Sequence, residues 1–204
     1  NLIKSYSERD LSELFGVEFS AVTIRNFWNM LAHSNGAIWN KENYSRSLGV
    51  SAPTVGRYLE YMEGAFLVTR LQPWFANTKK RLVKAPKIYI RDSGILHALA
   101  RINQLDDLYG HPAVGASWEG FVIEQIRQLK PGHIDCYFYR SHQGTEADLV
   151  LVRGMKPIAC IEIKLSTSPL LGKGFLHSII DLKTKKNFIV IPQGDSYTAA
   201  NEIS

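Results

Sequence analysis

The chain has 204 residues, 45% of them hydrophobic and 21% charged, which is enough apolar side chain for a core and excludes whole-chain disorder. Its 15 Gly, 8 Pro and 2 Cys exclude collagen-like and disulfide-dense classes. The 24 Lys and Arg against 19 Asp and Glu give a net charge of +5, a mild bias toward anionic partners.

No apolar run approaches the ~18 residues a membrane span needs, so no membrane partner is expected. The chain opens Asn-Leu-Ile-Lys, without an initiator Met and without a basic stretch leading into an apolar block. It reads as a piece of a longer cytoplasmic protein. Cys136 and Cys160 lie in separate apolar runs with no Cys-x-x-Cys, as buried free thiols do.

In chain order, residues 8–15 and 20–33 have helical spacing, the second with Val22, Phe27, Met30 and Leu31 on one stripe. A short helix then ends at Leu48. Gly49 supplies a positive φ, Val50 packs inward, Ser51 caps the next helix and Pro53 sits in its first turn. Val55, Leu59 and Met62 form its buried stripe. This is helix-turn-helix spacing, with Thr54 and Arg57 facing out as groove-reading side chains and Glu60 and Glu63 as opposing acids.

The run Ala65 to Leu71 reads as a strand, Pro73 to Ala85 as a loop and Pro86 to Ile90 as a second strand. Two strands behind a helix-turn-helix make a winged helix. The charge supports a DNA-facing wing. Residues 1–100 hold 13 Lys and Arg against 8 Asp and Glu, whereas residues 101–204 hold 11 of each. No acid occurs between Gly64 and Arg91, while Arg70, Lys79, Lys80, Arg81, Lys84 and Lys87 do. Lys79, Lys80, Arg81 and Lys84 are the expected phosphate contacts. Asp92 reads as the cap of a helix over Ile95–Ala100.

Residues 116–129 read as an amphipathic helix with Trp118, Phe121, Val122, Ile126 and Leu129 on its apolar face. Strands follow over 134–139, 147–152 and 157–164, then a helix over 170–183 and a strand over 187–191. The order αβββαβ with near-continuous apolar strands predicts a mixed α/β fold whose sheet is buried on both faces. The expected domains are 1–100, a linker at 101–112, and 113–204.

Three charges are misplaced for a core sheet. Asp148 opens an otherwise apolar strand, and Glu162 and Lys164 end another, on one face because side chains alternate. Unpaired buried charge costs several kcal/mol, roughly 3–5 when a partner is removed, so such residues need a reason. Asp148 and Glu162 can hold Mg²⁺ with the carbonyl of Ile163 as a third ligand. Lys164 can position or deprotonate a water or stabilise transition-state charge, and Glu119 can add a ligand or orient one. A rim salt bridge from Lys164 to either acid is the structural alternative.

Glu119, Gly144-Thr-Glu-Ala-Asp148 and Ile161-Glu-Ile-Lys164 resemble the PD-(D/E)xK nuclease signature. With Glu8-Arg-Asp-Leu11, Leu48-Gly-Val-Ser51, Lys80-Arg-Leu82 and Lys87-Ile-Tyr-Ile-Arg-Asp-Ser-Gly-Ile95, nearly the whole chain resembles the C-terminal region of prokaryotic AAA+-superfamily ATP-binding proteins. That resemblance implies a P-loop ATPase module upstream, then a winged helix, then a restriction-endonuclease-like domain. ATP would bind only through the upstream module, since Gly172-Lys173 lacks the P-loop residues, with Thr167 and Gly174 at the flanking positions. Ala147 replaces the Pro that names the nuclease motif.

The leading expectation is DNA association with Mg²⁺-dependent phosphodiester cleavage. The alternatives are a catalytically silent nuclease fold that holds nucleic acid or a protein and regulates the ATPase, and a structural arm that forms a homo-oligomer.

Overall fold

The computed structural model describes residues 20–75, 80–166 and 168–194, together with Glu13. The helix expected over 8–15 lies outside the described residues except for Glu13, which is helical. Among the described residues seven helices and two sheets follow, a mixed α/β architecture as the sequence pattern predicts.

The helical part forms by local rules. In α1 (Ala21–His33), Ser20 caps the N-terminus, and Ile24, Phe27, Trp28 and Leu31 return to one buried face every three to four residues. Val22, expected on that face, is exposed because the stripe is centred on Phe27 and Trp28 instead. Helix α2 (Lys41–Leu48) is capped by Asn40 and stops at Gly49, whose φ of 66° is left-handed. Ser51 accepts from the Thr54 amide to start α3 (Ala52–Gly64), which buries Val55, Leu59 and Met62. The expected helix-turn-helix is therefore present residue for residue. Phe27 is its aromatic hub, with its ring 5.6 Å from Tyr44, 5.9 Å from Tyr58 and 6.3 Å from Trp39.

Strands β1 (Val68–Leu71) and β2 (Lys87–Ile90) pair as a two-stranded sheet after the helices, the element order of a winged helix. Asp92 caps α4 (Ser93–Leu99) through the Ile95 amide, as its position predicts. Helix α5 (Leu105–Tyr109) and helix α6 (Val114–Leu129) follow. Buried Asn35 ties this region together, accepting from the Ile90 amide at 2.8 Å and donating to the Ala116 carbonyl at 3.0 Å.

The second sheet has the order β3 (Asp135–Arg140), β4 (Glu146–Arg153), β5 (Lys156–Ile163), β6 (Lys186–Val190). The first two pairings are antiparallel and the last is parallel, reached by a crossover through α7 (Lys173–Leu182). Phe175 and Leu182 of α7 cluster with Val150, Val152 and Cys160. Each such apolar side chain contributes about 2 kcal/mol by burial. On α6, Val122 and Ile123 are buried, but Phe121 and Leu129, expected on the apolar face, are 43% and 81% exposed.

The described chain forms two compact units, one from the ranges 1–70 and 88–120, the other from 71–87 and 121–204. The partition at 1–100, 101–112 and 113–204 read from sequence differs from this. Residues 71–87 belong with the second unit because they pair with its edge strand, and the range 101–112 contains α5.

Candidate functional site

The alternation of β4 and β5 places the misfit charges. Leu149 pairs with Ile161 and Val150 with Cys160, so one further step of the same register sets Asp148 opposite Glu162. Directly opposed residues share a face. Both carboxylates are 8% exposed, in strands whose other buried residues are apolar. Asp148 Oδ2 accepts a hydrogen bond from the Ile163 amide at 2.8 Å, which brings it to the Glu162-Ile163-Lys164 segment. Lys164 lies just beyond the end of β5. Its amide donates to the Val190 carbonyl at 2.9 Å, and its Nζ is 2.7 Å from Glu162 Oε1.

A fourth charged residue joins them that the sequence did not mark as a site residue. Lys87 opens β2 with its side chain only 5% exposed, and its Nζ is 3.0 Å from Glu146 Oε1 and 3.9 Å from Asp148 Oδ1. The same ammonium lies 5.6 Å from the centre of the Phe138 ring. Arg140 reaches Glu146 at 3.6 Å from the outer side. The signal for Lys87 was its place at the head of the buried run Lys-Ile-Tyr-Ile, where a cation needs a partner. The acid-free stretch around it hid that partner, which lies about sixty residues away in sequence.

Among the described residues, no group of three or more His, Cys, Asp and Glu side chains is placed to hold a metal ion. Asp148 and Glu162, opposed on neighbouring strands, are the two carboxylates that could serve as a donor set. That set fits Mg²⁺, which retains several waters and uses one or two protein carboxylates. Glu119 belongs to the first unit, where it accepts from the Tyr89 hydroxyl.

The described ends of the expected wing loop are held against β3 and the turn after it. Pro73 bridges to Phe138 and Leu82 to Ser141, and the Trp74 and Val83 amides donate to Phe138 and Arg140 carbonyls at 2.7 and 2.9 Å. Those bonds cap the otherwise open edge of β3. Lys80 is held by Asp181 at 2.6 Å and by Thr145 at 3.2 Å, and Tyr139 donates to the same Asp181 oxygen at 2.9 Å. Arg70 pairs with Glu63 at 3.0 Å, and Arg91 lies over Phe66. The run that lacks acids in sequence thus meets acids in space. Arg81 and Lys84 remain exposed, and Lys79 lies outside the described residues. On α3, Arg57 is exposed beside exposed Glu60, and Thr54 Oγ1 is 2.8 Å from the Ser51 hydroxyl within the cap.

Two family models match the chain. One, described as Domain of unknown function (DUF8612), covers residues 1–106; the other, Domain of unknown function (DUF4143), covers residues 114–204. Curated relatives include Uncharacterized protein Rv2008c of Mycobacterium tuberculosis (strain ATCC 25618 / H37Rv) and Uncharacterized protein Mb2031c of Mycobacterium bovis (strain ATCC BAA-935 / AF2122/97). Each is 40% identical over 190 residues, 93% of this chain and 42% of the relative. The chain thus spans less than half the length of the curated relatives it matches. Among solved structures, MepR, a transcription regulator of the Staphylococcus aureus multidrug efflux pump MepA, is 14% identical with a TM-score of 0.30. It covers 63% of this chain and 91% of its own. Transcriptional regulator PA3341 is 19% identical with a TM-score of 0.26, covering 63% and 90%.

Proposed function

The chain belongs to the family described as Domain of unknown function (DUF8612), and we propose that it is the DNA-associating C-terminal part of an AAA+-type ATP-binding protein with a phosphodiester-cleaving site in its second unit. Proteins with the second matched family often carry it as the C-terminal part of AAA-ATPases, which supports the ATP-binding assignment. The greater length of the curated relatives leaves room in them for such a module.

One observation carries the cleavage reading: Asp148 of β4 hydrogen-bonds across to the Ile163 amide, between Glu162 and Lys164. Two acids and an amine from neighbouring strands thereby share one end of a buried sheet. Asp148 and Glu162 are the residues to hold a Mg²⁺ ion, which when bound supplies Lewis acidity to a phosphate oxygen and acidifies a water. Lys164, 42% exposed at its side chain, can reach an incoming phosphate and offset charge that grows on it. Of the cations expected to meet DNA, Arg57 in the first unit and Arg81 and Lys84 in the second are exposed, and each can contact a phosphate backbone.

Plasmid incubated with the chain and Mg²⁺ or Mn²⁺ tests this. Nicking by wild type that falls at least tenfold in both Lys164→Ala and Asp148→Asn is expected. Equal survival of plasmid with wild type and both variants, in this chain and in the longer protein, overturns cleavage. The catalytically silent module is the second reading. It is favoured by one observation: Lys87 and Lys164 already place an ammonium against each acid. It requires DNA binding that Asp148→Asn leaves unchanged.

A further inference from the structure

Lys87 is the buried cation of the acidic cluster. Its side chain is more buried than those of the acids it meets: 5% exposed, against 11% for Asp148 and 30% for Glu146. Burying an ammonium is costly, so its position reflects the negative charge that receives it. A divalent ion bound by Asp148 would draw on that same negative charge. Two cations at one carboxylate repel, so each weakens the other's hold on it.

We propose that Lys87 is the built-in counter-cation of the Asp148–Glu162 site and competes with the divalent ion for it. The inference rests on the metal-binding reading above and adds its regulation. With Lys87 seated on Glu146 and Asp148, the cluster of Lys87, Arg140 and Lys164 against Glu146, Asp148 and Glu162 is charge-balanced without metal. Metal entry then requires the ammonium to shift its weight from Asp148 toward Glu146, the nearer partner at 3.0 Å. Glu146 is the second acid that makes this shift possible, because it keeps Lys87 paired when Asp148 is engaged elsewhere. Lys87 is thus a positioning residue for the site and touches no substrate.

Isothermal titration of Mn²⁺ into the chain reads this without any measurement of cleavage. Lys87→Met removes the charge, Lys87→Gln removes it while keeping a donor for Glu146, and Lys87→Arg retains it. The expected result is a Mn²⁺ Kd about tenfold lower in Lys87→Met and Lys87→Gln than in wild type, with Lys87→Arg within threefold of wild type. Thermal unfolding gives a second readout: 1 mM Mn²⁺ should raise the Tm of Lys87→Gln more than that of wild type. If Lys87→Met fails to fold, Lys87→Gln decides the matter alone. Equal Kd values in wild type and the neutral variants, with binding lost in Asp148→Asn, overturn the counter-cation role and leave the metal site standing. Binding absent from wild type and neutral variants alike, or unchanged in Asp148→Asn, overturns the metal site and the competition with it.

Discussion

Asp148 is bound on two sides, by the Ile163 amide at 2.8 Å and by the Lys87 ammonium at 3.9 Å. Replacing it with Ala takes the Asp148 acceptor from the Ile163 amide and leaves Lys87 to Glu146 alone, and should destabilise the second unit by about 2 kcal/mol. Chemical denaturation of Asp148→Ala checks this, with Asp148→Asn expected to lose less because its oxygen still accepts from Ile163. Cys160 behaves oppositely, as an inert residue. Burial pushes its thiol up to about 11, only partly offset by hydrogen bonds with Thr184 and Ser178. At pH 8 about one thiol in a thousand is thiolate, so native Cys160 should resist maleimide until the chain is unfolded. His97 is held below its ordinary value by burial, chiefly, with Asp92 opposing, and its Nε2 lies 2.7 Å from the Ser117 hydroxyl. The unfolded chain therefore binds the extra proton first as pH falls below about 6.5, and stability should decline there. A pH series of unfolding midpoints, flatter in His97→Gln, is the expected outcome. At this scale the sequence exposed Asp148, Glu162 and Lys164 because charge interrupts apolar strands. It did not expose Lys87, because partners distant in sequence leave no local trace.

Elements follow local chemistry where caps and stripes dictate them. Gly49 sits at φ 66° with nothing within 4 Å of an added Cβ. The cost of Gly49→Ala is thus backbone strain alone, about 1 kcal/mol, and Gly49→Asn should cost less. Gly174 differs. A Cβ there would stand 2.6 Å from the Gly144 carbonyl, so Gly174→Ala must push α7 from the β3–β4 turn. That close approach accounts for Gly174 without any phosphate. The helix-turn-helix, β4, β5 and α7 were legible because their periods are clean. The segment 73–83 was not, because its two short bridges to β3 leave no alternation to read, and its lysines suggested a solvated wing. Asp181→Asn should loosen that segment, seen as faster hydrogen exchange at the Trp74 and Val83 amides.

On the scale of the whole molecule, cations sort into those with structural partners and those left at the surface. Arg81→Ala and Lys84→Ala should each weaken DNA binding and reduce its salt slope by about one, with stability unchanged. Lys80→Ala should instead lower stability, since Lys80 already holds Asp181. Fluorescence anisotropy with a labelled duplex across a salt series separates the two classes. Among the described residues no helix is long and apolar enough to cross a membrane. The chemistry proposed here depends on two β-strand carboxylates acting as one ligand set. Anomalous scattering from crystals of the chain soaked in Mn²⁺ addresses that most directly. One peak within coordination distance of both Asp148 and Glu162 is expected, and it should be lost in Asp148→Asn. Saturating Mn²⁺ with no peak between the two carboxylates, and both lysine pairs intact, would contradict it.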